Sequence, residues 1–128
     1  QKQIIGDPLV IGGRRLSLSR AVRAGDTVYL TGQVPMADGR VMTWGMIEEQ
    51  TRAVLGDITR TLAQAGCTRA DVVKATVWLK DRADFPGFDE VWDDHFPEAP
   101  PARSALVAEF LVDVRVVAVH ELQHFASA

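Results

Sequence analysis

Two hydrophobic periods alternate along the middle of the chain, and this alternation narrows the fold more than any other feature. Ile47, Thr51, Val54, Leu55, Ile58 and Leu62 recur at three- and four-residue steps, which makes one apolar stripe of an amphipathic helix over about residues 46–65. Gly66 follows as a helix terminator, and Thr68 is placed to cap a short turn at Arg69-Ala70-Asp71. The next run, Val72-Val73-Lys74-Ala75-Thr76-Val77-Trp78-Leu79, is rich in β-branched residues and reads as a strand. Phe85, Phe88, Val91, Trp92 and Phe96 then return to helical spacing over about 85–96, before Pro97, Pro100 and Pro101 break the chain.

Strand signals lie on both sides of this core. Thr27-Val28-Tyr29-Leu30-Thr31 is the clearest, with a turn at Ala24-Gly25-Asp26 before it. Residues 16–23 are therefore expected as its hairpin partner, with Leu16 and Leu18 alternating against Ser17 and Ser19. Residues 1–15 are mixed and end in a loop-like Gly12-Gly13-Arg14-Arg15, and residues 35–40 form a turn-rich connection. Two strands, 102–108 and 114–121, close the chain. The order ββ-α-β-α-ββ predicts an α+β fold, with an antiparallel or mixed sheet and both helices on one face. A chain of 128 residues makes one domain, spanning 1–128. It is 47% hydrophobic and has only two helices, so the other sheet face is expected to be covered by a second subunit.

Several function classes are disfavoured. No apolar run approaches the ~20 residues of a membrane span. Gln1-Lys2-Gln3-Ile4-Ile5 has no long apolar stretch, so a signal peptide is not expected. Fourteen basic against seventeen acidic residues give a net charge of −3, which argues against nucleic acid as a partner. Trp44, Trp78 and Trp92 are not interleaved with a basic run and read as packing or interface residues. A single cysteine, Cys67, excludes an intramolecular disulfide and fits a reducing, cytoplasmic setting. Only Arg69 offers it a nearby positive charge, so the thiol reads as structural.

His120-Glu121-Leu122-Gln123-His124 matches a zinc-protease signature, but that signature works only on a helix. Here it continues a strand-like run from Val114, where residues four apart lie about 13 Å apart. Two ligand nitrogens each ~2 Å from one ion cannot come from such a segment. No metal site is expected.

Three blocks carry a family resemblance. They are Asp26-Thr27-Val28-Tyr29-Leu30-Thr31-Gly32-Gln33-Val34-Pro35; Ile47-Glu48-Glu49-Gln50-Thr51-Arg52 running on to Asp81; and Pro101-Ala102-Arg103-Ser104. In order and spacing, over about residues 16–121, the chain resembles the Rid (reactive intermediate deaminase) family, also called YjgF or the L-PSP endoribonucleases. The resemblance implies a chorismate-mutase-like fold of the Bacillus type, in a homotrimer whose sheets form a central barrel with a ligand cleft at each interface. It also implies hydrolysis of a small enamine or imine carboxylate to a 2-keto acid and ammonia, with neither metal nor organic cofactor.

Carried over position by position, Arg103 matches the arginine that grips the substrate carboxylate. A guanidinium suits this task because it stays ionised and offers two parallel charge-assisted hydrogen bonds. Thr31 and Gly32 match a Ser-Gly step lining the cleft, although β-propensity alone also accounts for Thr31. The chain departs from the family pattern at four positions. Leu18 stands where many relatives have tyrosine, Ala105 where cysteine is frequent, and Asp89 where asparagine is frequent. Val117 stands where active deaminases place the glutamate that holds the attacking water. Glu121 lies four residues further along the same strand face, out of reach of that position but for a change of register or bend. His120 faces the opposite side, and Asp89 and His95 are further acid–base candidates that a helix surface also explains. The expected reading is an enamine or imine deaminase. The loss of the glutamate keeps open a small-carboxylate or keto-acid binding protein, and RNA cleavage fits less well.

Overall fold

The computed structural model is described for residues 1–123, and for the backbone alone at Val119 and at 121–123. In chain order the elements are β1 (Lys2–Ile5), β2 (Val10–Ile11), β3 (Arg14–Arg15), β4 (Ala21–Ala24), β5 (Thr27–Leu30), β6 (Met36–Ala37), β7 (Arg40–Val41), α1 (Ile47–Gln64), β8 (Val72–Leu79), α2 (Phe85–His95), β9 (Ala102–Val107) and β10 (Val116–Gln123). Six strands make one sheet in the order β1-β4-β5-β10-β8-β9. All neighbours are antiparallel except β8 and β9, which are parallel and joined through α2, the crossover that a parallel pair requires. The expected α+β class with a mixed sheet is what forms.

Both helices pack on one face. Val54, Leu55, Ile58 and Leu62 of α1 and Phe88, Val91 and Trp92 of α2 join Val28, Ala75, Val77, Val116 and Ala118 of the sheet in one buried core. Each fully buried Leu, Ile, Val or Phe contributes about 1.5–3 kcal/mol of transfer free energy. The helices meet closely at Gly87, where an added Cβ would lie 2.6 Å from Ile47 Cγ2. The other sheet face carries large apolar side chains in the open: Ile4 is 63%, Tyr29 49% and Leu106 50% exposed. Among the described residues no helix is long and apolar enough to cross a membrane.

The N-terminal third departs from the expectation. The partner of β5 is β4, residues 21–24, and not the whole of 16–23. Residues 16–19 bend because their backbone is tied elsewhere: Leu16 N donates to Leu9 O at 2.9 Å, and Ser19 O accepts the Thr31 hydroxyl. The segment read as mixed contains β1, which pairs with β4, and a small hairpin, β2 with β3. That hairpin turns at Gly12-Gly13, with φ of 59° and 77°, the positive values a two-residue hairpin turn needs. The turn-rich connection holds a second small hairpin, β6 with β7, turning at Asp38-Gly39.

Candidate functional site

Arg103 stands on the edge strand β9, in register with Ala75 of β8, on the helix-covered side of the sheet. Its guanidinium carbon lies 5.6 Å from the ring centroid of Phe85, 5.6 Å from Phe88 and 5.2 Å from Trp92. All three distances suit a cation over an aromatic face. Asp89 completes the setting, with Nη1 donating to Oδ1 at 2.8 Å. Phe85, Phe88, Asp89 and Trp92 are spaced i, i+3, i+4 and i+7, so one face of α2 presents three rings and one carboxylate to one arginine. The Arg103 side chain remains 23% exposed. It borders a cleft of about 360 Å³ that Leu79, Arg82, Phe85, Ala105, Leu106 and Val107 also line. Ala105, two residues along the strand, faces the same side as Arg103.

Thr31, Gly32 and Val117 form a second corner. Thr31 N donates to Arg20 O at 2.9 Å, and its hydroxyl donates to Ser19 O. The Thr31 proton is thus committed to the backbone, and what the oxygen keeps is acceptor capacity. Strand pairing resumes at Gln33, whose N–H reaches Ala118 O at 2.7 Å and whose carbonyl accepts from Ala118 N at 3.1 Å. A Cβ on Gly32 would sit 3.8 Å from Val117 Cγ1. Val117 is paired with Trp78 and lies on the open sheet face. Leu18, 40% exposed, belongs to the bent segment that the Thr31 hydroxyl tethers. With Lys2, Arg15 and Ser17 it lines a shallow cavity of about 520 Å³.

The chain brings Arg103, Ala105 and Asp89 to one corner and Gly32, Thr31 and Val117 to another. It does not bring the two together. β8 lies between β9 and β10, so the strands are about 10 Å apart, and the two sets face opposite sides of the sheet. Glu121 pairs through its backbone with Tyr29 and Lys74, in the register of the open face. Its side chain lies outside the described residues.

The other candidates are accounted for by packing. His120 is fully buried, with its ring 5.9 Å from Trp92 and 6.0 Å from Phe96. β10 stays extended through Gln123, so the protease-like motif begins on a strand, and His124 lies outside the described residues. Among the described residues no group of three His, Cys, Asp or Glu could hold a metal ion. Burial, helped by the Arg69 charge, pushes His95 down to about 4, so its ring is neutral near pH 7. The Cys67 thiol is buried and pushed up by burial and by Asp71, with Arg23 opposing, which makes it a poor nucleophile.

Two features escaped sequence reasoning. Gln50 is buried, donates to Met42 O at 3.1 Å and Trp44 O at 2.9 Å, and accepts from Arg115 N at 2.8 Å. It fastens the loop before α1 to the start of β10. The aromatic cage was the other. Its spacing was visible, but the same stripe serves the core, and nothing local says that β9 delivers an arginine to it.

The endoribonuclease L-PSP family model matches residues 14–120. A RutC family protein of Pyrococcus horikoshii is 37% identical over 110 residues, covering 80% of this chain and 86% of that protein. A 2-iminobutanoate/2-iminopropanoate deaminase of Capra hircus is 37% identical over 108 residues, covering 79% and 78%. The crystal structure of yeast Mmf1 superposes with a TM-score of 0.88 at 25% identity, covering 97% of this chain and 99% of that one. With its helix-covered mixed sheet and its arginine on the parallel edge strand, the chain belongs to the endoribonuclease L-PSP family, the Rid or YjgF proteins.

Proposed function

We propose that this protein hydrolyses a small enamine or imine carboxylate to a 2-keto acid and ammonia, in the cytoplasm and without a cofactor. The observation that carries the reading is the fixed Arg103 guanidinium at the mouth of a cleft, held by three rings and Asp89. Asp89 Oδ1 engages Nη1 alone, which leaves donors for a substrate carboxylate. The relative named as an imine deaminase supports the reaction class. In this reaction the enamine takes a proton at carbon to give the imine. Water adds to the C=N carbon, and the carbinolamine collapses to the keto acid as ammonia leaves.

The cleft is completed between subunits of a homotrimer in this reading. Two observations support that: the open sheet face exposes Ile4, Tyr29 and Leu106, and the two corners are separated within one chain. A neighbour's Thr31, Gly32, Leu18 and Val117 then face Arg103. Val117 can neither orient water nor move a proton, so acceleration comes from holding an already labile imine in place. The same residue favours a second reading, in which the pocket binds a small carboxylate without turning it over. RNA cleavage, the activity in the family's name, gains no support from a chain with net charge −3.

The test is to generate 2-aminoacrylate with a serine dehydratase and follow keto-acid formation. Acceleration that Arg103→Ala abolishes supports the deaminase. No acceleration, together with ligand binding that depends on Arg103, supports the binding protein.

A further inference from the structure

Arg103 does not meet its ligand as a bare cation. Its Nη1 donates to Asp89 Oδ1 at 2.8 Å, and the three aromatic faces fix the guanidinium against the helix that carries Asp89. Arg103 borders the cleft, and the pair is partly shielded from solvent: the Arg103 side chain is 23% exposed and that of Asp89 36%. The two charges cancel at close range. A plain anion approaching Arg103 must share it with a resident carboxylate and is repelled by that carboxylate in a partly desolvated setting.

We propose that Asp89 sets the charge class of the ligand: the Arg103–Asp89 pair selects a small zwitterion, a carboxylate with a cationic nitrogen on the adjacent carbon, over a plain carboxylate anion. This rests on the reading of Arg103 as the carboxylate grip. The remaining N–H groups of Arg103 take the carboxylate, and Asp89 Oδ2 accepts from the cationic nitrogen. The reactive form of a 2-imino acid has that charge distribution, because protonation of the imine nitrogen is what opens the C=N carbon to water. The keto-acid product has lost the cation and keeps only the carboxylate. Asp89 therefore favours the charge pattern of the substrate over that of the product, and an asparagine at this position, with no charge, would not. Asp89 is here a specificity-determining residue. It takes no part in bond making.

The test is equilibrium binding by NMR titration with two stable probes of equal length, 2-aminobutanoate as the zwitterion and 2-oxobutanoate as the anion. Wild type, Asp89→Asn and Arg103→Ala are compared, with thermal unfolding as the check on folding. Wild type is expected to prefer the zwitterion. Asp89→Asn is expected to shift the affinity ratio toward the anion by about 10-fold, or about 1.4 kcal/mol. Arg103→Ala is expected to weaken both probes. A ratio unchanged in Asp89→Asn, whether both probes bind tighter or weaker, would overturn the proposal and leave Asp89 as a residue that merely positions Arg103. Binding of both probes that survives Arg103→Ala would instead overturn the reading of the site on which the proposal depends.

Discussion

The corner around Arg103 and the corner around Val117 are built on opposite terms. The first is charged and framed by aromatic rings, and it is complete within one chain: β9 supplies the arginine, α2 its three rings and its counter-ion. The second is apolar and open. Val117 stands beside Gly32 on an uncovered sheet face, and the Thr31 hydroxyl donates to the backbone. The contrast separates two tasks that an active site usually combines. Gripping a carboxylate needs a fixed guanidinium, and one helix face can fix it. Activating water needs a group that accepts or steers a proton, and the second corner offers only valine where the family resemblance expects glutamate.

The first corner breaks most severely at Phe88, which is fully buried and touches both the core and the guanidinium. Phe88→Ala is expected to cost about 3–5 kcal/mol in urea unfolding, the range for removing a buried aromatic ring. A loss below ~1 kcal/mol would mean that the cage is not part of the core. Arg103→Ala comes next and isolates function from folding. It should lower kcat/KM at least ~100-fold, about 2.7 kcal/mol of transition-state binding, while stability moves by no more than ~1 kcal/mol because the ion pair is partly exposed.

The second corner invites a gain. Val117→Glu should raise turnover of 2-aminoacrylate by about 10-fold or more, since a positioned acid–base group contributes in that range and above. An unchanged rate would show that more than the missing carboxylate separates this corner from a water-activating one.

The smallest effect concerns His95, at the end of the helix that holds the cage. Its pKa falls from 6.5 to about 4 on folding, so the unfolded chain binds more protons between those values. The stability this contributes is complete above pH 6.5 and is lost as pH falls toward 4. For a half-buried ring the amount is about 1–2 kcal/mol. His95→Gln should flatten that part of a stability–pH curve.

Periodicity carried the core of the fold into view. The stripe from Ile47 to Leu62 and the β-branched run from Val72 predict α1 and β8 to within a residue, because both elements are set by one dominant face. β1 and the hairpins at Gly12-Gly13 and Asp38-Gly39 were not legible to the same degree. They are short, and they exist through pairing with distant strands or through turn chemistry that two residues alone announce weakly. The site divides in the same way. Arg103 is singled out by the Pro101-Ala102-Arg103-Ser104 block, and Val117 by the family resemblance. The contact of Arg103 with Asp89 is fourteen residues distant in sequence and depends on the β8-α2-β9 crossover. Gln50 and its three backbone partners depend on a loop whose course no local pattern dictates.

The role proposed for Arg103 is tested by isothermal titration of 2-oxobutanoate into wild type and Arg103→Ala under identical conditions. If Arg103 grips the carboxylate, wild type binds saturably and the variant binds at least ~10-fold more weakly, about 1.4 kcal/mol. Equal affinity in the two proteins would mean that Arg103 does not hold the carboxylate.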